Sequence, residues 1–151
     1  MKSTAQTLNQ DTQRVALIAE DDPDQSDMLR ETLQDEGYRV DAAFSGDVAY
    51  QKLLNHSYDL VILDIRMPGL NGGTVLKALR LKKDKTQLPV IVVSAFATES
   101  DMQRYRADGA NACLSKPYEI DELLALIFNL NPKGSGSTGV KRQPLRGPTG
   151  D

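Results

Sequence analysis

Short apolar runs alternate with amphipathic stretches along most of this chain. The runs are Val15–Ala19, Val40–Ala43, Leu60–Leu63, Val90–Val93 and Ala112–Leu114. Three of them are rich in Val and Ile without polar alternation, the pattern of strands buried on both faces. The stretches between them carry apolar residues at helical spacing. One leads from Asp27-Met28-Leu29 to Leu33 and stops at Gly37, a helix-terminating glycine. Ser45 is placed to cap a second, with Ala49 and Leu53 on one face. Val75, Leu76 and Leu79 form a third stripe. Thr98 followed by Asp101 predicts a capping box for a fourth helix, ending near Gly109. Ile120, Leu123, Leu124 and Ile127 form the fifth. The pattern predicts an α/β, doubly wound (βα)5 fold. Its five-stranded parallel sheet has right-handed crossovers and helices on both faces.

Composition sets the boundaries. Residues 1–13 are rich in Gln, Thr, Ser and Asn, and are expected to form a flexible N-terminal segment. Residues 131–151 are dense in Gly, Ser and Pro, the composition of a flexible tail or linker. One domain is expected over 14–130. The chain of 151 residues has a formal net charge of −3. That charge gives no global reason to bind nucleic acid or an anionic membrane. No signal-peptide pattern and no long apolar run is present. The single cysteine, Cys113, excludes an intrachain disulfide. A soluble, cytoplasmic protein is expected.

In a doubly wound sheet, ligands bind beyond the carboxyl ends of the strands. Those ends carry Glu20-Asp21-Asp22, Asp64, Ser94 and Lys116. Converging carboxylates repel one another unless a cation intervenes. Oxygen-only donors favour a hard divalent ion, Mg²⁺ above all. A carboxylate held in such a site can attack a phosphoryl donor and become an aspartyl phosphate. Asp64 is the candidate nucleophile, because the apolar run before it places an acid at the end of a central strand.

These residues resemble the response-regulator receiver family of two-component signalling. The resemblance covers about Val15 to Leu130. It rests on VALIAEDD, LVILDIRMPGLNG, VIVVSA and LSKPY, in that order and at the family's spacing from Asp21 to Asp64, Ser94 and Lys116. It implies a flavodoxin-like sheet of order 2-1-3-4-5. It further implies that Asp64 accepts the phosphoryl group and that Lys116 and Ser94 assist. Asp21, Asp64 and the backbone carbonyl of Arg66 would ligate Mg²⁺, with Glu20 acting through water. Either Glu20 or Asp22 pairs with Asp21. The interval back from Gly37 selects Glu20 and leaves Asp22 as an accessory acid. The resemblance also implies a cis peptide bond before Pro117.

One position departs from the family. Cys113, three residues before Lys116, stands where the family usually has an aromatic switch residue. Output is therefore expected to depend on Ser94 and the Ala95–Ser100 loop more than on the last strand. The partners implied are a histidine kinase or phosphotransfer protein, and a downstream protein or a missing output domain. No DNA-binding, cyclase or kinase pattern follows Leu130. The chain is expected to be a stand-alone regulator or a receiver cut from a longer one, with no nucleic acid contact in this segment. It would catalyse its own phosphorylation and dephosphorylation while acting as a switch. Two other readings compete. One is a receiver-like interaction module that is never phosphorylated. The other is an aspartate-nucleophile phosphohydrolase, which would need an acid where Arg66 stands. His56 and the tail cations Lys141, Arg142 and Arg146 are expected to be solvated.

Overall fold

The computed structural model describes residues 13–95 and 97–130. The predicted flexible ends, apart from Gln13, and the tail cations lie outside the described residues. Five parallel strands form one sheet: β1 (Val15–Ala19), β2 (Arg39–Ala43), β3 (Leu60–Asp64), β4 (Val90–Ala95) and β5 (Ala112–Lys116). Their order is β2-β1-β3-β4-β5. The three Val/Ile-rich runs are the three inner strands. This is the flavodoxin-like (βα)5 fold.

The helices are α1 (Pro23–Asp35), α2 (Gly46–Asn55), α3 (Gly72–Arg80), α4 (Glu99–Ala107) and α5 (Ile120–Leu130). Their ends follow from capping chemistry. Ser45 accepts from the Val48 N–H, and Asn71 from the Thr74 N–H. Thr98 and Asp101 exchange hydrogen bonds in a full capping box. Gly37 sits at φ +96°, and the Tyr38 N–H reaches back to the Leu33 carbonyl at 3.0 Å, closing α1.

Strand residues alternate between faces. Leu17, Val61, Leu63 and Val92 share one apolar cluster with Val75, Leu76 and Leu79 of α3. Ala16, Ile18, Leu60 and Ile62 are buried outside that cluster, as are Leu29 and Leu33 of α1. Fully burying each large aliphatic side chain contributes about 1.5–3 kcal/mol. The core therefore fixes the register that brings the strand ends level. The chain divides into two compact units after Pro117. In the second, α5 carries Leu123 and Ile127 as buried positions.

Three strands, β3, β4 and β5, run further than their apolar patterns. The ladder continues through Asp64↔Val93, Ser94↔Ser115 and Ala95↔Lys116. Backbone pairing carries these polar side chains to the edge in a fixed arrangement. The Lys116–Pro117 bond is cis, as expected. No helix among the described residues is long and apolar enough to cross a membrane.

Candidate functional site

Glu20 follows β1, and its backbone N–H still bonds the Ala43 carbonyl at 3.0 Å. Asp64 closes β3. Both carboxylates are buried, at 3% and 5% exposure. Burying a charge is costly unless it is paired. The partner is Lys116 at the end of β5, whose side chain is 19% exposed. Its Nζ donates to Glu20 Oε1 at 2.9 Å and to Asp64 Oδ2 at 3.1 Å. The remaining oxygens take backbone donors: Glu20 Oε2 from the Asp22 N–H, and Asp64 Oδ1 from the Arg66 N–H, each at 3.1 Å.

Asp21 is exposed and completes the group. One carboxylate oxygen from each of Glu20, Asp21 and Asp64 lies within 4.8 Å of the others. Three carboxylates against one ammonium leave two negative charges. Burial raises the Glu20 carboxyl above its ordinary range, and the charge of Asp64 adds to this, against the pull of Lys116. For Lys116, burial works against the charged form. The hydrogen bonds and charges of Glu20 and Asp64 outweigh it and hold the ammonium above its usual value. The site thus keeps its one cation firmly charged while straining one of its acids. A doubly positive ion with oxygen preference matches that imbalance in charge and donor type.

Asp22 is placed differently. It is the N-cap of α1, and its carboxylate takes the Asp24 N–H and the Gln25 amide at 3.0 Å each. Ser94 is buried at the end of β4, one residue beyond the partner of Asp64 in the ladder. Cys113 lies in the core beside β4, and its thiol donates to the Met102 carbonyl of α4 at 3.5 Å. Burial raises its pKa, keeping it a thiol. His56 is exposed at the C-terminus of α2, at the opposite edge of the sheet.

A residue absent from the sequence reading also shapes the site. Gly72 opens α3, and its N–H bonds the Ile65 carbonyl at 2.8 Å. A Cβ there would meet the Asp64 carbonyl oxygen at 2.2 Å. The start of α3 is pressed against the backbone that presents Asp64. A glycine in a helical first turn is a poor helix former, and that is the signal for such a close approach. Beside the acids, an open cleft of about 710 Å³ runs from Asp21 and Arg66 to Arg104 and Tyr105 of α4.

Residues 16–128 match the family described as the response regulator receiver domain. The transcriptional regulatory protein DltR of Streptococcus agalactiae is 38% identical over 111 residues, covering 74% of this chain and 49% of DltR. The chain spans about half the length of the curated relatives it matches. Among solved structures, the response regulator TrrA of Thermotoga maritima, in complex with Mg(2+)-BeF, is 36% identical. It has a TM-score of 0.69 and covers 78% of this chain and 98% of that one. A CheY-like receiver domain protein of Methanospirillum hungatei, 24% identical, shares the fold at a TM-score of 0.74, with 83% and 99% coverage.

Proposed function

Because the chain belongs to the response regulator receiver domain family of two-component signalling, we propose that Asp64 is its phosphoacceptor. The donor is the phosphohistidine of a histidine kinase or phosphotransfer protein. One observation carries the proposal: Glu20, Asp21 and Asp64 gather their oxygens within 4.8 Å, with Lys116 Nζ bonded to two of them.

In the reaction, a carboxylate oxygen of Asp64 attacks phosphorus. The P–N bond to the donor imidazole breaks, and its electron pair stays on the ring nitrogen. Lys116, already charged beside Asp64, binds an oxygen of the transferred group. The Ser94 hydroxyl, at the neighbouring strand end, binds another. The backbone N–H of Arg66 holds the carboxylate in line. Glu20, through water, together with Asp21, Asp64 and the carbonyl of Arg66, would hold Mg²⁺. When bound, that ion neutralises charge on the phosphoryl oxygens. Hydrolysis of the aspartyl phosphate resets the site. The chain thus catalyses its own modification, and its role is switching.

The switch acts through Ser94, the residues that follow it and α4. Cys113 offers no ring to swing, so its replacement by Ala should leave phosphorylation-dependent partner affinity within about twofold. Loss of that dependence would return the switch to β5. The output is a downstream protein or a further domain, the latter favoured by relatives twice as long. A cytoplasmic location completes the reading.

The decisive experiment is labelling with acetyl phosphate or a phosphorylated kinase, with and without Mg²⁺. The wild-type chain should acquire base-labile phosphate that Asp64→Asn lacks. Full labelling of Asp64→Asn would overturn the assignment.

A further inference from the structure

The far end of the molecule carries a second surface. The C-terminal ends of α2 and α3 lie at the amino edge of the strands, opposite the carboxylates. Between them is a groove of about 240 Å³ whose floor includes Leu53, Leu54 and Leu79. Lys82 and Lys83 form its rim. Neither makes an ion pair among the described residues. Beside them Leu81 is 88% exposed. Lys85 adds to the charge of this stretch, while Lys77 pairs with Asp108 and Arg80 is engaged by backbone carbonyls.

The backbone under these side chains is rigidly built. Arg80 donates to the carbonyls of Lys83 and Asp84 at 3.1 Å each and to the Gly109 carbonyl at 2.8 Å. Asp84 Oδ1 accepts the Thr86 and Gln87 N–H groups at 3.0 Å. Asn111 holds the Lys85 carbonyl from across the turn at 3.1 Å. Because the backbone is already held, binding here costs the freedom of the Leu81, Lys82 and Lys83 side chains alone.

We propose that this groove and the Leu81–Lys83 rim form a docking site for an acidic segment of a partner protein that inserts an aliphatic side chain. Leucines and lysines lie side by side in this lining, with Asn55, His56 and Ser57 beside them, so the ligand needs both a hydrocarbon anchor and flanking carboxylates. A nucleic acid backbone would satisfy the lysines and leave the leucines in water. The site shares no residue with the carboxylate cluster and works whatever the state of Asp64.

The probe is a fluorescein-labelled peptide of glutamates with leucines at helical spacing, titrated into the full chain. Saturable binding is expected, with amide shifts at Leu54, Leu81, Lys82 and Lys83. The Lys82→Glu/Lys83→Glu variant should weaken it about tenfold. Leu81→Ser, a second exposed change that leaves the charge intact, should weaken it about fivefold. A control peptide with serines for leucines should bind more weakly than the leucine peptide. The proposal is overturned if the peptide does not bind or if the serine peptide binds as well. It is equally overturned if duplex DNA or phosphatidylserine vesicles bind more tightly through the same lysines. Sedimentation showing these lysines joining two copies of the chain would also overturn it.

Discussion

Helices α3 and α4 follow neighbouring strands and flank the same carboxylates, yet they are held in opposite ways. Helix α3 buries Gly72, Val75, Leu76 and Leu79, and its first residue touches the backbone of Asp64. Helix α4 buries one residue, Tyr105. What holds α4 is concentrated at its ends. The capping box closes the N-terminus, and Arg80 of α3 grips the Gly109 carbonyl just past the C-terminus. Local stability follows buried apolar contact, so α4 belongs to the low-stability end of the molecule and α3 to the high end. The site therefore has a stiff wall that positions the Asp64 carboxylate and a loosely packed wall free to respond. A switch needs both, because an element anchored like α3 has no second position to adopt.

The largest effect is expected on the stiff wall. Gly72→Ala forces a methyl into the Asp64 carbonyl and should cost about 3 kcal/mol in urea unfolding, with labelling of Asp64 impaired in the fraction that folds. If both stability and labelling survive, α3 is not the anchor its packing implies. The loose wall should behave differently. Thr98→Ala removes the cap and should cost about 1 kcal/mol, seen as faster hydrogen exchange confined to α4. Equal acceleration in α3 would erase the distinction.

The smallest effect is a difference in pH response. The folded chain raises the Glu20 carboxyl above 4.5 by burial, so it holds that proton more tightly than the unfolded chain does. Glu20's contribution is fully present below that value and is lost as pH rises through its raised one. Asp101 is the reverse. The Thr98 N–H, then the Thr98 hydroxyl, hold its carboxyl below 3.8. Its contribution is present above that value and is lost as pH falls through the lowered one. Exchange from α4 should quicken on acidification. Divalent ion should restore the stability that deprotonation of Glu20 removes. Denaturation curves at several pH values, with and without Mg²⁺, measure both.

Much of this was legible in the sequence, and the residues show why. Apolar patterning located all five strands, because the inner ones are buried on both faces. It stopped short at Asp64, Ser94 and Lys116, where side chains become polar while the ladder runs on. Ser45, Thr98 and Gly37 were readable because capping is a local bond between near neighbours. The choice among Glu20, Asp21 and Asp22 was not local. It depends on Lys116, far along the chain, reaching Glu20, and on α1 starting where Asp22 must cap it. Arg80 was silent for the same reason, and Gly72 gave only the weak signal of a glycine opening a helix: each acts on a backbone that only folding brings close.

The lone thiol of Cys113 joins the last strand to the loosely packed wall, since it belongs to β5 and donates to the Met102 carbonyl in α4. Burial keeps it protonated, and no other cysteine exists to obscure it. Its S–H stretching band falls in an empty window of the infrared spectrum. The unmodified chain therefore contains its own vibrational reporter, and a shift of that band on phosphorylation would time the movement of α4 without any attached dye.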